Sequence, residues 1–227
     1  MSIEKKLLGT TSGGDAQNVE DVFSTYLYKG NGAVQSIDNG INLGDFGVGT
    51  STEFDGTNDY LSRSSDLSGN TDSKTFTFSA WVYWTGGSTV SSSMLYEGKT
   101  GSNQRVVIML SGSNDTARLV WFLMYNSAGV LVLNGKCAIG DFKVNTYNHI
   151  LVSADMANSS NRYIYMNDNL SASTWATYTN DTIEFTQTNH TLASNVGGTQ
   201  LLKGRLAHLF LDYTYRDLSI EANRRLF

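Results

Sequence analysis

Proline is absent from this 227-residue chain, where average usage would give roughly eleven. Its turns must rest on Gly, Asn, Asp and Ser, which tolerate positive φ or bond their own backbone. Cysteine occurs once, as Cys137, which excludes a disulfide framework and a thiolate metal cluster. Lying near a strand, Cys137 reads as a buried, inert thiol. Charge is scarce as well: charged residues make up 16% of the chain, against about 25% in an average domain. The net charge is −5, and the longest basic runs are Lys5-Lys6 and Arg224-Arg225. Nucleic-acid binding needs clustered cations to displace counterions, so nucleic acid is not an expected partner. No apolar run reaches the roughly 18 residues of a membrane-spanning helix. The opening stretch MSIEKKLLGTTSGG has no signal-peptide core, which points to synthesis in a cytoplasm.

Motifs for chemistry are missing too. His149, His190 and His208 are scattered, with no pair at metal-ligand spacing. His149 and His208 fall in strand-like stretches, where a hydrogen-bonded structural histidine is the expectation. There is no Gly-Lys-Ser/Thr phosphate loop; NVGGTQ (195–200) reads as a turn. There is no Gly-x-Ser-x-Gly elbow. The stretch EFDGTNDYL (53–61) gathers two Asp, one Asn and one Gly, but an EF-hand loop starting at Asp55 would want an acid or amide at 57, Gly at 60 and Glu at 66. The chain has Thr57, Tyr60 and Asp66. A tight turn remains, with Gly56 supplying backbone freedom and Asn58 and Asp59 bonding nearby backbone.

What is present is a period of two. In TFTFSAWVYW (75–84), Phe76, Phe78, Ala80, Val82 and Trp84 point one way, and Thr75, Thr77, Ser79, Trp81 and Tyr83 the other. The second face must lie outside the main core or be covered by the N-terminal segment. RVVIML (105–110) and RLVWFLMY (118–125) flank a hairpin loop, SGSNDTA. NHILVSAD (148–155) and NRYIYMND (161–168) flank another. HTLASNVGG and GRLAHLFLDYTY supply the last strands. Only the final residues read as helical, with Ser219 as N-cap, Glu221 in the first turn and Arg224 and Arg225 near the end. Short strands with Gly/Asn turns throughout predict an all-β, antiparallel β-sandwich. Residues 1–20 are hardly periodic and read as an N-terminal arm. Residues 21–227 read as the sandwich, with 21–49 as an edge or assembly hairpin turning at Lys29–Gly32.

From about residue 50 onward the chain resembles a concanavalin A-like lectin/glucanase jelly roll of the laminin G-like type. FDGTNDYL is similar to that family's opening strand and turn, and FTFSAWVYW to its first long core strand. TYNHILVSAD stands where the family has Trp-His-His-Val, with Tyr147 in place of the Trp. RYIYMND stands where it has Tyr-Val-Asp-Gly, with Asn167-Asp168 in the turn. GRLAHLFLDYTYRDLSIEAN is similar to the closing strand and short acidic helix. The stretch VFSTYLYKGNGAVQSIDNGINL (22–43) resembles a segment that recurs beside such domains in bacteriophage virion proteins, especially tail proteins.

The resemblance carries expectations. The glucanase branch hydrolyses sugars with acids in a Glu-x-Asp-x-x-Glu pattern on one strand, and no such string lies around Glu4, Glu20, Glu53, Glu97, Glu184 or Glu221. The chain is therefore expected not to be an enzyme, with no catalytic residues, no metal site and no cofactor. A structural calcium of the kind some relatives carry would pair Asp55 with Asp212. A sugar platform could draw on Trp81, Trp84, Trp121, Tyr125, Trp175 and Tyr178, although large aromatics also fill sandwich cores. TWATYTN (174–180) is the more polar setting, so Trp175 and Tyr178 are the candidate ligand-binding pair. The expected function is a non-enzymatic bacteriophage virion structural protein, a capsid decoration or tail component displaying a lectin-like domain. Its partners would be other virion proteins and further copies of itself, and its location the virion. The alternative is a carbohydrate-binding adhesion module for host surface glycans.

Overall fold

Alternation in residues 75–84 sets the architecture. Phe76, Phe78, Ala80, Val82 and Trp84 are fully buried on one side of β3 (Thr75–Trp84), while Trp81 and Tyr83 stand half-exposed on the other. A strand sends successive side chains to opposite faces, so one face joins the core and one looks outward. The computed structural model describes residues 51–67, 69–85, 92–102, 105–112 and 118–227. The expected arm (1–20), the expected hairpin (21–49) and residues 113–117 of the loop between the first two runs lie outside the described residues.

The other described strands are β1 (Thr52–Asp55), β2 (Leu61–Arg63), β4 (Ser92–Lys99), β5 (Arg105–Ser111), β6 (Leu119–Tyr125), β7 (Leu131–Lys136), β8 (Tyr147–Asp155), β9 (Arg162–Met166), β10 (Asn169–Leu170), β11 (Thr174–Tyr178), β12 (Asn189–Leu192) and β13 (Lys203–Asp212). They form two antiparallel sheets, ordered β1-β13-β3-β8-β9-β10 and β11-β7-β6-β5-β4-β12-β2. The fold is a jelly-roll sandwich with, among the described residues, one short helix, α1 (Glu221–Arg224). The sheets meet through interleaved aromatics. Phe78 from the first sheet meets Phe122 from the second edge-on at 5.9 Å, and Phe76 packs on Phe185 at 6.3 Å. Cys137 is buried beside them, its thiol pushed up to about 11 by burial, with the Val120 N–H donating to its sulfur.

Two elements differ from the sequence expectation. β4 carries seven buried residues in a row because a bulge between Met94 and Tyr96 breaks its alternation, and no period-2 signal marks it. At the C-terminus Ser219 is not the helix cap. Ile220 holds that position with no side-chain cap bond. The Ser219 N–H and hydroxyl both donate to Asp217 Oδ1, at 2.9 and 2.6 Å, in a local Asx-type turn that competes with capping.

The segment after β13 folds back over the outward side of the first sheet. Leu218 is buried against Leu151 and Tyr165, with Tyr163 and Phe227 packed beside them. Phe227 also meets Phe210 edge-on at 5.0 Å. Beyond this cover, on β8, the His149 ring stacks on Trp81 at 4.8 Å and its Nε2 lies 2.9 Å from Ser79 Oγ. Burial pushes His149 down to about 4; the nearby Asp168 charge opposes the shift and His208 adds to it. His190 is also buried, bonded to the Tyr96 hydroxyl at 3.0 Å and the Gln187 carbonyl at 2.8 Å, and burial again lowers its pKa.

These histidines make stability depend on pH. Above about 6.5 both folded and unfolded chains hold them neutral. Below that the unfolded chain takes up protons that the native His149 refuses, so stability falls as pH drops from about 6.5 towards 4. The slope is at most about 1.4 kcal/mol per pH unit for each such histidine. Urea unfolding at pH 7.5 and pH 5 should show a lower free energy at pH 5, and His149→Gln should reduce that difference.

Candidate functional site

β6 has the clearest two-sided pattern among the strands of the second sheet. Val120, Phe122 and Met124 are fully buried in the core, while Leu119, Trp121, Leu123 and Tyr125 are half-exposed on the outward side. The register sets their neighbours. Trp121 lies between Met109 of β5 and Lys136 of β7, and Leu123 between Val107 and Asn134. Beyond β5, Met94 adjoins Met109 and Glu97 adjoins Val107. Met94, Val107 and Met109 thus form a second apolar cluster, with Trp121 and Leu123 packed against it.

Polar groups at this face are fixed in place. The Trp121 indole N–H donates to Asn134 Oδ1 at 2.7 Å, and the Lys136 ammonium lies 5.8 Å from the ring centroid. Arg105 sits 5.2 Å over the Tyr125 ring and donates to its hydroxyl at 3.4 Å. It also lies 3.9 Å from the Glu97 carboxylate, which is almost wholly buried. Glu97 Oε2 accepts the Val196 N–H at 2.7 Å. An apolar surface with a few placed polar groups is the usual make-up of a small-ligand face. Glu97 is the one acid in the sequences of β4 to β7, whereas glycoside hydrolysis of the common kind uses two facing carboxylates.

The six aromatics grouped from the sequence are separated by the fold. Trp121 and Tyr125 share the outward face of β6. Trp81 is outward on the opposite sheet, and Trp84 is buried in the core with the Arg118 guanidinium 4.1 Å from its ring. Trp175 and Tyr178 do come together on β11, edge-to-face at 5.7 Å, and both are half-buried against the main core. Arg162, from β9 of the other sheet, lies over both rings at 5.7 and 4.8 Å. Trp175 pairs with Gly135 and Tyr178 with Leu133, so the two close the open side between the sheets. The sequence did not single out the β6 face because LVWFLMY is apolar throughout, and hydropathy alternation cannot mark its two sides.

The pairing of Asp55 with Asp212 is not realised. Asp55 pairs with Lys203 at one end of β13, and Asp212 lies at the other end of that strand. Nine strand residues separate them by about 30 Å. Asp55 is instead spent on its own turn. Its Oδ1 accepts the N–H of Thr57 at 2.6 Å and of Asn58 at 3.3 Å, its own N–H donates to Asp59 Oδ2 at 3.1 Å, and Gly56 takes φ +76°. The Thr57 bond comes first among the causes that lower the Asp55 pKa. Asp212 faces Arg216 at 3.4 Å. Among the described residues no three His, Cys, Asp or Glu side chains gather as a metal site.

Residues 55–211 match the family profile of the concanavalin A-like lectin/glucanases superfamily, and the chain belongs to that superfamily. No curated protein matches the chain. Solved structures share the fold at low identity. A heptameric SAP-like pentraxin from Limulus polyphemus aligns with a TM-score of 0.54 and 13% identity, over 73% of this chain and 76% of the pentraxin. The CBM40 of the Ruminococcus gnavus IT-sialidase, bound to α2,3-sialyllactose, gives 0.50 and 14%, over 75% of this chain and 95% of that one. A putative carbohydrate-binding protein from Bacteroides ovatus gives 0.51 and 10%, over 77% and 45%.

The seat of Trp175 can be tested. A Cβ at Gly135 would lie 2.6 Å from two atoms of the Trp175 ring, so Gly135→Ala must displace the indole. Overpacking of this kind costs about 1–3 kcal/mol. Denaturant unfolding should show that loss, together with a changed near-ultraviolet circular dichroism spectrum.

Proposed function

We propose that this chain is a non-enzymatic, lectin-like module that binds carbohydrate on the outward face of β6 and its neighbours. The observation that carries this reading is the half-exposed Trp121 ring, with its N–H pinned by Asn134 and Lys136 beside it. An aromatic face suits the apolar C–H face of a sugar, and Lys136, Asn134 and Arg105 stand within the same few rows to meet hydroxyl or acidic groups. Sugar-related names among proteins of the same fold support the class of ligand. Trp175 and Tyr178, the pair favoured by composition, are held by Gly135 and Arg162 and contribute through stability in this reading. The single acid in β4 to β7, bonded to Val196 and facing Arg105, supports binding without hydrolysis.

The full-length protein should bind a subset of glycans on an array and release no reducing sugar from them. Trp121→Ala should weaken that binding by about tenfold or more, about 1.4 kcal/mol, with little change in melting temperature. Undiminished binding by Trp121→Ala would move the site elsewhere. Sugar release that disappears on mutating Glu97 would make the chain a hydrolase.

A second, compatible reading is that the module is displayed on a bacteriophage virion, as a capsid decoration or tail component, together with other virion proteins and further copies of itself. Its support is the resemblance of residues 22–43 to a segment of such proteins, and a sparsely charged, acidic chain suited to high local concentration. Residues 1–20 would then be the attachment arm. Purified particles should contain the full-length chain, and removal of residues 1–20 should abolish its incorporation. Normal incorporation of the shortened chain would place the anchor on the sandwich.

A further inference from the structure

Charge is unevenly placed on the outward face of the second sheet. The strands β11, β7, β6, β5, β4 and β12 carry Lys99, Arg105 and Lys136 against one acid, Glu97, in a chain whose net charge is −5. Register sets the three cations on the same side as Trp121. Lys136 pairs directly with Trp121. Met109 also pairs with Trp121, Arg105 lies an even number of residues before it on β5, and Lys99 pairs with Arg105. Even steps along a strand keep the same face. Glu97 is almost wholly buried and is turned to Arg105 and the Val196 N–H, so the face is left with a positive surplus. Among the described residues neither Lys99 nor Lys136 takes part in an ion pair, and both are half-exposed.

These cations sit at opposite ends of the face. Lys136 stands beside the Trp121 ring, at 5.8 Å from its centroid. Further along β6 the Tyr125 ring lies 5.2 Å from the Arg105 guanidinium, and Lys99 flanks Arg105 on the next strand. From Trp121 to Tyr125 is about 13 Å of strand, and from β7 to β4 is three strand spacings, about 14 Å. The backbones of Lys136 and Lys99 are therefore roughly 20 Å apart, with Leu123 and Val107 between them. Side chains stand roughly perpendicular to a sheet, so a single anionic group is too small to meet both.

Arg105 is loosely held. It lies 3.9 Å from the Glu97 carboxylate and donates to the Tyr125 hydroxyl at 3.4 Å, both longer than the roughly 2.7–3.2 Å of a strong N–H···O bond. Its side chain is 33% exposed. A guanidinium presents its N–H donors as a planar fork, which fits the paired oxygens of an acid group. An aromatic ring with a cation beside it thus recurs at each end, Trp121 with Lys136 and Tyr125 with Arg105 and Lys99. Each combination offers a flat apolar surface to a sugar ring and a charge to an acid carried on that sugar.

We infer that the ligand of this face is an oligosaccharide bearing anionic groups, carboxylate or sulfate, on more than one of its units. One group is met by Lys136 beside Trp121, and another by Arg105 and Lys99 beside Tyr125. The inference rests on the glycan-binding reading of this face and adds to it the charge and the span of the ligand.

The test applies the full-length protein to an array of neutral, singly acidic and multiply acidic oligosaccharides, the last in carboxylated and sulfated sets. Multiply acidic members should be held most tightly, and added salt should weaken them, because exposed charges are screened. The set that is held identifies the anionic group. For the tightest member, Lys136→Gln and Lys99→Gln should each reduce affinity about threefold, within the range of exposed charge pairs. Lys203→Gln, which removes the same charge from the other sheet, should leave it unchanged. An unaltered melting temperature checks that each variant is folded. Neutral glycans held as tightly as acidic ones, with binding still lost in Trp121→Ala, would overturn the inference and leave the glycan reading standing. Singly acidic members held as tightly as multiply acidic ones, and sensitive to one lysine alone, would overturn it in favour of a ligand with one charge. Binding indifferent to both lysines would overturn it as well. Retention of no glycan at all would overturn the inference and the glycan reading together.

Discussion

Phe78 meeting Phe122 edge-on across the sandwich is the contact on which the rest depends. Each ring fixes which side of its strand faces inward, and a strand has only two sides. With Phe122 inward, Val120 and Met124 follow it, and Trp121, Leu123 and Tyr125 must face out. With Phe78 inward, Trp81 and Tyr83 must look away from the core. The candidate ligand face and the aromatic face of the other sheet are both consequences of this one packing decision. A slip of one residue in either strand would exchange core for surface along its whole length.

Much of this was legible in the sequence, and the reasons vary by element. β3 could be read residue by residue because Thr and Ser alternate with Phe and Ala over half its length. β8 and β9 were found from their apolar runs and the Asn/Ser turn between them. β4 could not be read, because a bulge at Met94–Tyr96 breaks its period and because it is covered on both faces. β6 was recognised as a strand, but its outward side was hidden, since Leu, Trp and Tyr occupy positions where polar residues would have marked exposure. The fate of Trp175 depended on Gly135, forty residues earlier. No local pattern reports that a glycine opposite a tryptophan leaves room for the ring to lie flat. Asp55 and Asp212 failed as a pair for a similar reason: both adjoin the same strand pair, but strand length separates them.

Without proline the chain uses side-chain oxygens to shape its turns. Asp55, Asn126, Asp155, Asn158 and Asp217 each accept a backbone N–H two residues ahead. Between β9 and β10, Asn167 and Asp168 both take positive φ, 53° and 60°, as a two-residue hairpin of the I′ kind requires. Asn and Asp tolerate that region better than other non-glycine residues. Turns of this kind are held by specific short side chains, which explains why a sequence so rich in Asn, Asp and Ser still gives defined connections.

The bond from the Trp121 indole to Asn134 has one more consequence. The ring's only hydrogen-bond donor is spent inside the protein, so a ligand meets a π surface and no directional N–H. Such a surface grips by contact area and by the stacking of C–H groups, and it is insensitive to which hydroxyl points where. On the proposed glycan-binding reading, preference between one sugar and another would come from the side chains at the margin, Lys136, Asn134 and Arg105. In this arrangement holding and choosing are assigned to different residues, so variation at the margin can retune what is bound while the central ring stays unchanged.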